Sequence, residues 1–217
     1  RKSPRKISFL KKTEAQEKPF IKVAQNLWEE QKKQVIASID NTSTADSHLF
    51  DETQAVVEFD KAFKPLIHLV FESAIKDILS GHEPKPAHTH YVDSVAKIEP
   101  ILNERALRWI ASRSLTLAKL LNGTTIEQLR KVLADGFEAG ESIPQIRDRI
   151  EQYYTQANRV RATMVARTEV VAASNEGNLE AYKELGAEKK EWYTALDERV
   201  RESHLQVHGQ IVGINED

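Results

Sequence analysis

The chain has no cysteine among its 217 residues, which excludes disulfides, thiolate zinc sites, iron–sulfur clusters and a cysteine nucleophile. Glycine and proline are scarce, at 8 and 7 residues, and with abundant Ala, Leu, Glu, Lys and Gln that composition leans toward helix. Neither charge sign dominates: 31 Lys+Arg stand against 33 Asp+Glu, a net of −2. That balance argues against a protein whose whole surface grips nucleic acid. No apolar run approaches the roughly 18 to 20 residues of a membrane-spanning helix. The basic opening Arg1-Lys2-Ser3-Pro4-Arg5-Lys6 is not followed by the apolar stretch of a signal peptide, so the chain reads as intracellular, or at least not secreted by that route. Aromatics are lean at 7%, yet 40% hydrophobic with 29% charged residues describes a soluble globular chain of one or two domains with a core. The start on Arg rather than Met suits a fragment or processed product.

Within the neutral total, charge is unevenly placed. Residues 1–12 carry Arg1, Lys2, Arg5, Lys6, Lys11 and Lys12 and no acid. This arm, taken as a basic extension or linker over 1–18, is either a solvated tail or a contact for an acidic partner or phosphates. From Pro19, Phe20, Ala24, Leu27, Val35 and Ile39 recur at helical spacing, with Trp28 beside the stripe. A second helix is expected from Glu52 to Leu79, kinked or split at Pro65. Ser80 to Asp93, with Gly81, Pro84, Pro86, His82, His88 and His90, reads as a loop. These elements form an N-terminal helical region, 19–93.

Asp93-Ser94 is expected to cap a helix over Val95 to Leu121, whose stripe includes Leu102, Ala106, Trp109, Ile110, Arg113 and Leu117 and which Asn122-Gly123 would close. Thr124-Thr125-Ile126-Glu127-Gln128 then offers capping boxes for a helix to about Ala139, and Ser142-Ile143-Pro144-Gln145 starts the next. Arg159 to Leu185 is the longest helical signal, ended by Gly186, and Gly177 inside it marks a bend or a close approach. Beyond Gly186, strands are expected at Glu191 to Leu196 and Gln210 to Ile214, around a turn at Asp197-Glu198-Arg199 and a short helix ending at Gly209. The fold class is mainly α, with a long helix packed on a small two-stranded β element in a unit spanning 94–217.

No nucleophile elbow, phosphate loop, dinucleotide fingerprint or HExxH helix is present. The densest constellation runs from Asp197 to Gly209. His204 and His208, four apart, would share a helix face, with Asp197 or Glu202 adding oxygen, which suits zinc or a nuclease metal; the same pattern also suits hydrogen-bonded caps and a turn brace. Arg147, Arg149, Arg159, Arg161 and Arg167 lie close in sequence with Asp148, Glu151 and Glu169 among them. They either line a path for DNA or form a helical face stitched by opposite charges.

The stretch Val165-Ala166-Arg167-Thr168-Glu169, then Ser174-Asn175-Glu176-Gly177-Asn178, Tyr182, Gly186, Trp192, Asp197-Glu198-Arg199 and His208-Gly209 resembles the phage Mu F-like minor head proteins, the head-morphogenesis domain. The resemblance covers roughly Leu102 to Asp217. Some members carry a Cys-x-x-Cys pair at the positions of Arg201 and His204, where this chain has neither. The family implies a non-catalytic, cofactor-free internal head component acting in the virion head interior, and in the host cytoplasm during assembly. Its implied partners are the portal protein and other head components, with viral DNA nearby, and it would assist DNA packaging or ejection. Arg167, Thr168, Glu169, Trp192, Asp197, Arg199, His204, His208 and Gly209 are then expected to be fold-forming, with Arg167 in reach of Asp197, Glu198 or another carboxylate and the turn at 167–169 anchoring the 197–209 segment.

Overall fold

The computed structural model describes residues 4–41, 49–81, 102–192, 194 and 200–216. Four long helices, α1 (Pro4–Asn41), α2 (Glu52–Gly81), α3 (Glu104–Glu138) and α4 (Ile143–Glu184), are followed by β1 (Lys189–Glu191), the one-turn α5 (Glu202–Leu205) and β2 (Ile211–Gly213). The helices run up, down, up and down. Phe20 of α1 stacks on Phe63 of α2 with centroids 6.0 Å apart, Ser114 of α3 donates to the Asp60 carbonyl of α2, and Arg147 at the start of α4 meets Asp40 at the end of α1. The strands pair antiparallel, Lys190 opposite Val212.

α4, of 42 residues, is about 60 Å long at 1.5 Å per residue and packs against all three other long helices. Its buried positions shift in character along its length. Ile146, Ile150 and Tyr154 are large, whereas Ala162, Ala166, Ala173, Gly177 and Ala181 are small. The small run receives the bulk of α2, where Phe59, Phe63, Ile67 and Phe71 are buried. At the closest point Gly177 leaves no room for a side chain: a Cβ there would lie 2.5 Å from the Phe71 carbonyl oxygen and 2.9 Å from Ala74 Cβ. The glycine expected to mark a bend or a close approach marks the approach.

Several boundaries differ from the sequence-based expectations. α1 begins at Pro4 and passes through Pro19, so residues 4–18 are helix and not a linker. Ala15 and Pro19 are both exposed, which lets water take the carbonyl that proline's missing N–H leaves open. α2 likewise continues through Pro65, also on an exposed face. Asn122-Gly123 does not end a helix. The Asn122 amide is drawn inward, its Nδ2 donating to the Ala118 carbonyl and its Oδ1 accepting from Gln31 of α1 at 2.9 Å. Thr124 and Thr125 turn their hydroxyls back to the carbonyls of Leu120 and Leu121 instead of capping. The expected cap Asp93-Ser94 and the histidine loop lie outside the described residues. The described N-cap of α3 is Asn103, whose Oδ1 accepts from the Ala106 N–H at 2.9 Å. Ser142 starts α4 as expected, its N–H and hydroxyl both donating to the Gln145 amide oxygen.

Two glycine substitutions separate packing from backbone propensity. Gly177→Ala should lower unfolding stability by about 1–3 kcal/mol through overpacking, while Gly123→Ala, on an exposed helical site with nothing within 4 Å of the added carbon, should raise it by about 0.5–1 kcal/mol. Urea denaturation monitored by circular dichroism measures both.

Candidate functional site: the charged seam of α4 and the terminal hairpin

Most of the charged residues described along α4 are bound to partners on other segments. Arg147 bonds Asp40 of α1, and Arg149 grips Glu141, just before the helix, through Nε and Nη2 at 2.5 and 2.6 Å. That contact holds the Glu141 carboxyl below its ordinary value and raises the Arg149 guanidinium. Arg167 reaches Glu17 of α1 at 3.5 Å. Glu169, with 4% of its side chain exposed, accepts two bonds of 2.8 Å from Arg113 Nε and Nη2 on α3; the Glu169 hydrogen bond raises Arg113 against the opposing effect of burial.

Near the end of the seam Glu180 accepts from Arg105 Nη2 at 2.6 Å and from Asn103 Nδ2 at 3.2 Å, with Lys183 at 3.4 Å. Burial pushes the Glu180 carboxyl up, but the bonds from Arg105 and Asn103 outweigh it and bring it below its ordinary value. One turn earlier Glu176 is raised, first by burial and then by the charge of Glu180. Asn103 thus caps α3 with its oxygen and ties that cap to α4 with its nitrogen.

Arg161 is bound differently. Its Nη1 donates to Tyr153 OH and Thr125 Oγ1 at 3.1 and 3.3 Å, its Nη2 to the Leu121 carbonyl at 3.4 Å, and its Cζ lies 4.9 Å from the centroid of the buried Trp28 ring. Beneath it a polar layer crosses the core, where Gln31 links Asn122 and Tyr154.

Three of the five arginines of this stretch are paired with carboxylates and Arg161 is held by neutral groups. Among the basic residues named as DNA or partner contacts, together with Arg167, the structure shows Arg147, Arg149 and Arg167 beside carboxylates and Lys12 paired with Asp77. Lys11 is exposed, Arg5 and Lys6 fall in the first turns of α1, and Arg1, Lys2 and the Arg159 side chain lie outside the described residues. Arg167 does find a carboxylate, that of Glu17 on α1. Glu169 turns to α3 and Thr168 is exposed, so the described partners of this turn join helices. Asp197 and Arg199 lie outside the described residues.

After α4, Gly186 takes φ +79°, the left-handed value that favours glycine at a helix end. β1 starts at Lys189, earlier than the expected Glu191, and pairing continues past it as Trp192 N–H donates to the Gln210 carbonyl and Gly209 N–H to the Trp192 carbonyl. Gly209, also at φ +79°, closes the turn. His208 Nδ1 accepts from the Thr194 N–H and meets its Oγ1, both at 3.1 Å, which leaves that nitrogen without a proton and occupied. His204 lies edge-on to Trp192 with ring centroids 5.8 Å apart. The two histidines brace separate points of the hairpin, and among the described residues no three His, Asp or Glu side chains are arranged to hold a metal. Trp192 and Ile211 stay 49% and 61% exposed.

Arg113 was legible as the charged member of an apolar stripe, a position that calls for a buried carboxylate. Glu17, Glu180 and Gln31 sit in polar runs that carry no such signal. Glu169→Ala should cost about 2–4 kcal/mol, somewhat under the range for a fully buried pair because Arg113 reaches water. With Arg113→Ala added, a double-mutant cycle in urea should show coupling of about 1–3 kcal/mol; additive losses would refute the pairing. Glu180 and Glu176 should respond oppositely to acid. The depressed Glu180 carboxyl contributes stability above its ordinary value of 4.5, lost as pH falls through its folded value, so Glu180→Gln should blunt acid destabilisation below that point. The raised Glu176 loses its contribution as pH rises through its folded value, so Glu176→Gln should stabilise the protein at pH 7, read from denaturation midpoints.

Comparison with known proteins bears on the part of the chain that holds this seam. The model of the family described as Phage Mu protein F like protein matches residues 127–217, from the second half of α3 through α4 and the hairpin. The uncharacterized protein YqbB of Bacillus subtilis (strain 168) is 28% identical over 173 residues, 78% of this chain and 53% of YqbB. Minor head protein GP7 of Bacillus phage SPP1 is 32% identical over 109 residues, 47% of this chain and 35% of GP7. The chain thus spans about half or less of the curated relatives it matches. No solved structure matches it. The family match covers residues 127–217, less than half of the chain, and marks that segment as similar to the Phage Mu F-like proteins.

Proposed function

We propose that this protein is a structural, non-catalytic minor head component of a phage or prophage. It joins the portal vertex during head assembly, in the host cytoplasm, and stays in the head interior, where it assists DNA packaging or ejection. The observation that carries this reading is the family match over 127–217, with the likeness to a minor head protein beside it. The geometry agrees in kind. The charged groups of α4 are placed to hold helices together, and the terminal hairpin offers at its surface Trp192, just after β1, and Ile211, on β2. Apolar side chains on a small, externally braced sheet suit contact with another protein.

Mixing the chain with the portal ring of the same phage and separating the products by size-exclusion chromatography tests this. The unaltered chain should co-elute with the ring. The variant Trp192→Ala with Ile211→Asp, folded by circular dichroism, should lose at least about 1.4 kcal/mol, tenfold in affinity. Failure of the unaltered chain to associate, or cleavage of plasmid DNA in Mg²⁺ or Mn²⁺ that His204→Ala abolishes, would refute the reading.

A further inference from the structure

The arginines of this protein grip carboxylates in one repeated way. Arg113 and Arg149 each place Nε and Nη2 on the two oxygens of one carboxylate, and Arg105 places the same pair on Glu180 Oε2. Arg161 has the same edge without an acceptor. Its other end is fixed: Thr125 Oγ1 donates to the Leu121 carbonyl at 2.8 Å, so these two acceptors sit side by side and take Nη1 and Nη2, with Tyr153 OH taking Nη1 as well. The face of the guanidinium rests on Trp28. Nε has no hydrogen-bond partner among the described residues and is not one of the buried atoms sealed without one, which are Trp28 Nε1, Asp60 Oδ1, Arg147 Nε and Asn158 Oδ1. Nε therefore reaches solvent on the side of the guanidinium away from Thr125 and Leu121.

All four contacts of Arg161 are to neutral groups, and among the described residues no carboxylate forms an ion pair with it. A half-buried cation held rigidly without a counter-charge is costly unless an anion completes it. We propose that the Nε/Nη2 edge of Arg161 is a receptor for a single carboxylate presented by a partner protein. One guanidinium balances one carboxylate charge, whereas a phosphate monoester would bring a second, uncompensated charge to a shelf built of Trp28, Tyr153 and Thr125; against a singly charged phosphodiester, the exposed apolar neighbours Val160 and Met164 decide for a protein. The planar fork matches two carboxylate oxygens, and an arginine stacked on tryptophan has the composition of an interface anchor. Val160 and Met164 of α4, 61% and 60% exposed, flank it in sequence and supply apolar contact for the residues around that carboxylate. The site stands on this geometry alone; that its occupant belongs to a head component rests on the function proposed above.

The site is tested by following the arginine Nε–Hε resonances of the ¹⁵N-labelled full chain during titration with sodium acetate, with sodium chloride and sodium phosphate series at matched ionic strength. The Arg161 signal, identified by its loss in Arg161→Lys, should shift saturably with acetate, half-saturating at roughly 10–100 mM as fits one charged bidentate contact. A shift no different from that with chloride, or half-saturation by phosphate at an equal or lower concentration, overturns the carboxylate site. Arg161→Lys keeps the charge and loses the fork, and when folded it should reduce portal association at least about tenfold. Saturation by acetate with undiminished portal association in Arg161→Lys overturns the assignment of the carboxylate to a head protein. Saturation by acetate with no association by the unaltered chain keeps the site and overturns the head-component reading.

Discussion

α4 touches all three other long helices, so each of its sides must satisfy a different neighbour at once, and the remaining features of the bundle follow from that demand. Toward α2 it offers small residues, with Gly177 against the Phe71 carbonyl. Toward α3 it offers buried carboxylates, Glu169 and Glu180, each answered by an arginine. Toward α1 it offers Tyr154, in reach of Gln31, and the arginines that meet Asp40 and Glu17. The small-for-large fit at Gly177 restricts the register of α4 on α2. The ion pairs and the Gln31 to Asn122 bond are directional, and such groups are best attested as devices that fix register.

The near-neutral net charge takes its meaning from this arrangement. Part of it consists of acids matched to bases that face them across helices. The matched pairs also cross the boundary of the family segment: Asp40 with Arg147, Glu17 with Arg167, Arg113 with Glu169 and Arg105 with Glu180 each join a residue before 127 to one after it. The helices that precede the family segment are thus bound to it by charge as well as by a continuous core. Truncating the chain to residues 127–217 would leave Glu169 and Glu180 without their guanidinium partners, which is the expensive way to break a buried pair.

Helix content, the stripe at Phe20, Ala24 and Val35, the start at Ser142, the terminators Gly186 and Gly209 and the close approach at Gly177 were all legible in the sequence, because each rests on a local rule of spacing or backbone conformation. The misplaced features share a cause of another kind. Asn122-Gly123 has the chemistry of a helix end, but a partner 91 positions away, Gln31, recruits the amide, and the helix runs on. Pro19 has the chemistry of a helix start, yet the packing of Phe20, Ala24 and Trp28 favours one continuous helix and the exposed face tolerates the lost bond. Arg167 was rightly expected to meet a carboxylate, and the partner went unnamed because Glu17 lies 150 positions away with nothing in its surroundings to single it out. Local chemistry states what a residue can do; distant partners decide which option is taken.

The terminal hairpin shows the same competition at smaller scale. Two strands of three residues are too short to hold together in water unaided. The described bracing is a ring edge of His204 on Trp192 together with His208 receiving the Thr194 amide. Such contacts are individually weak and hold the turn only while Trp192 stays beside it. Because Trp192 is half exposed, a partner that covers it would shield the His204 contact from water in the same step, so docking and stabilisation of the hairpin are coupled.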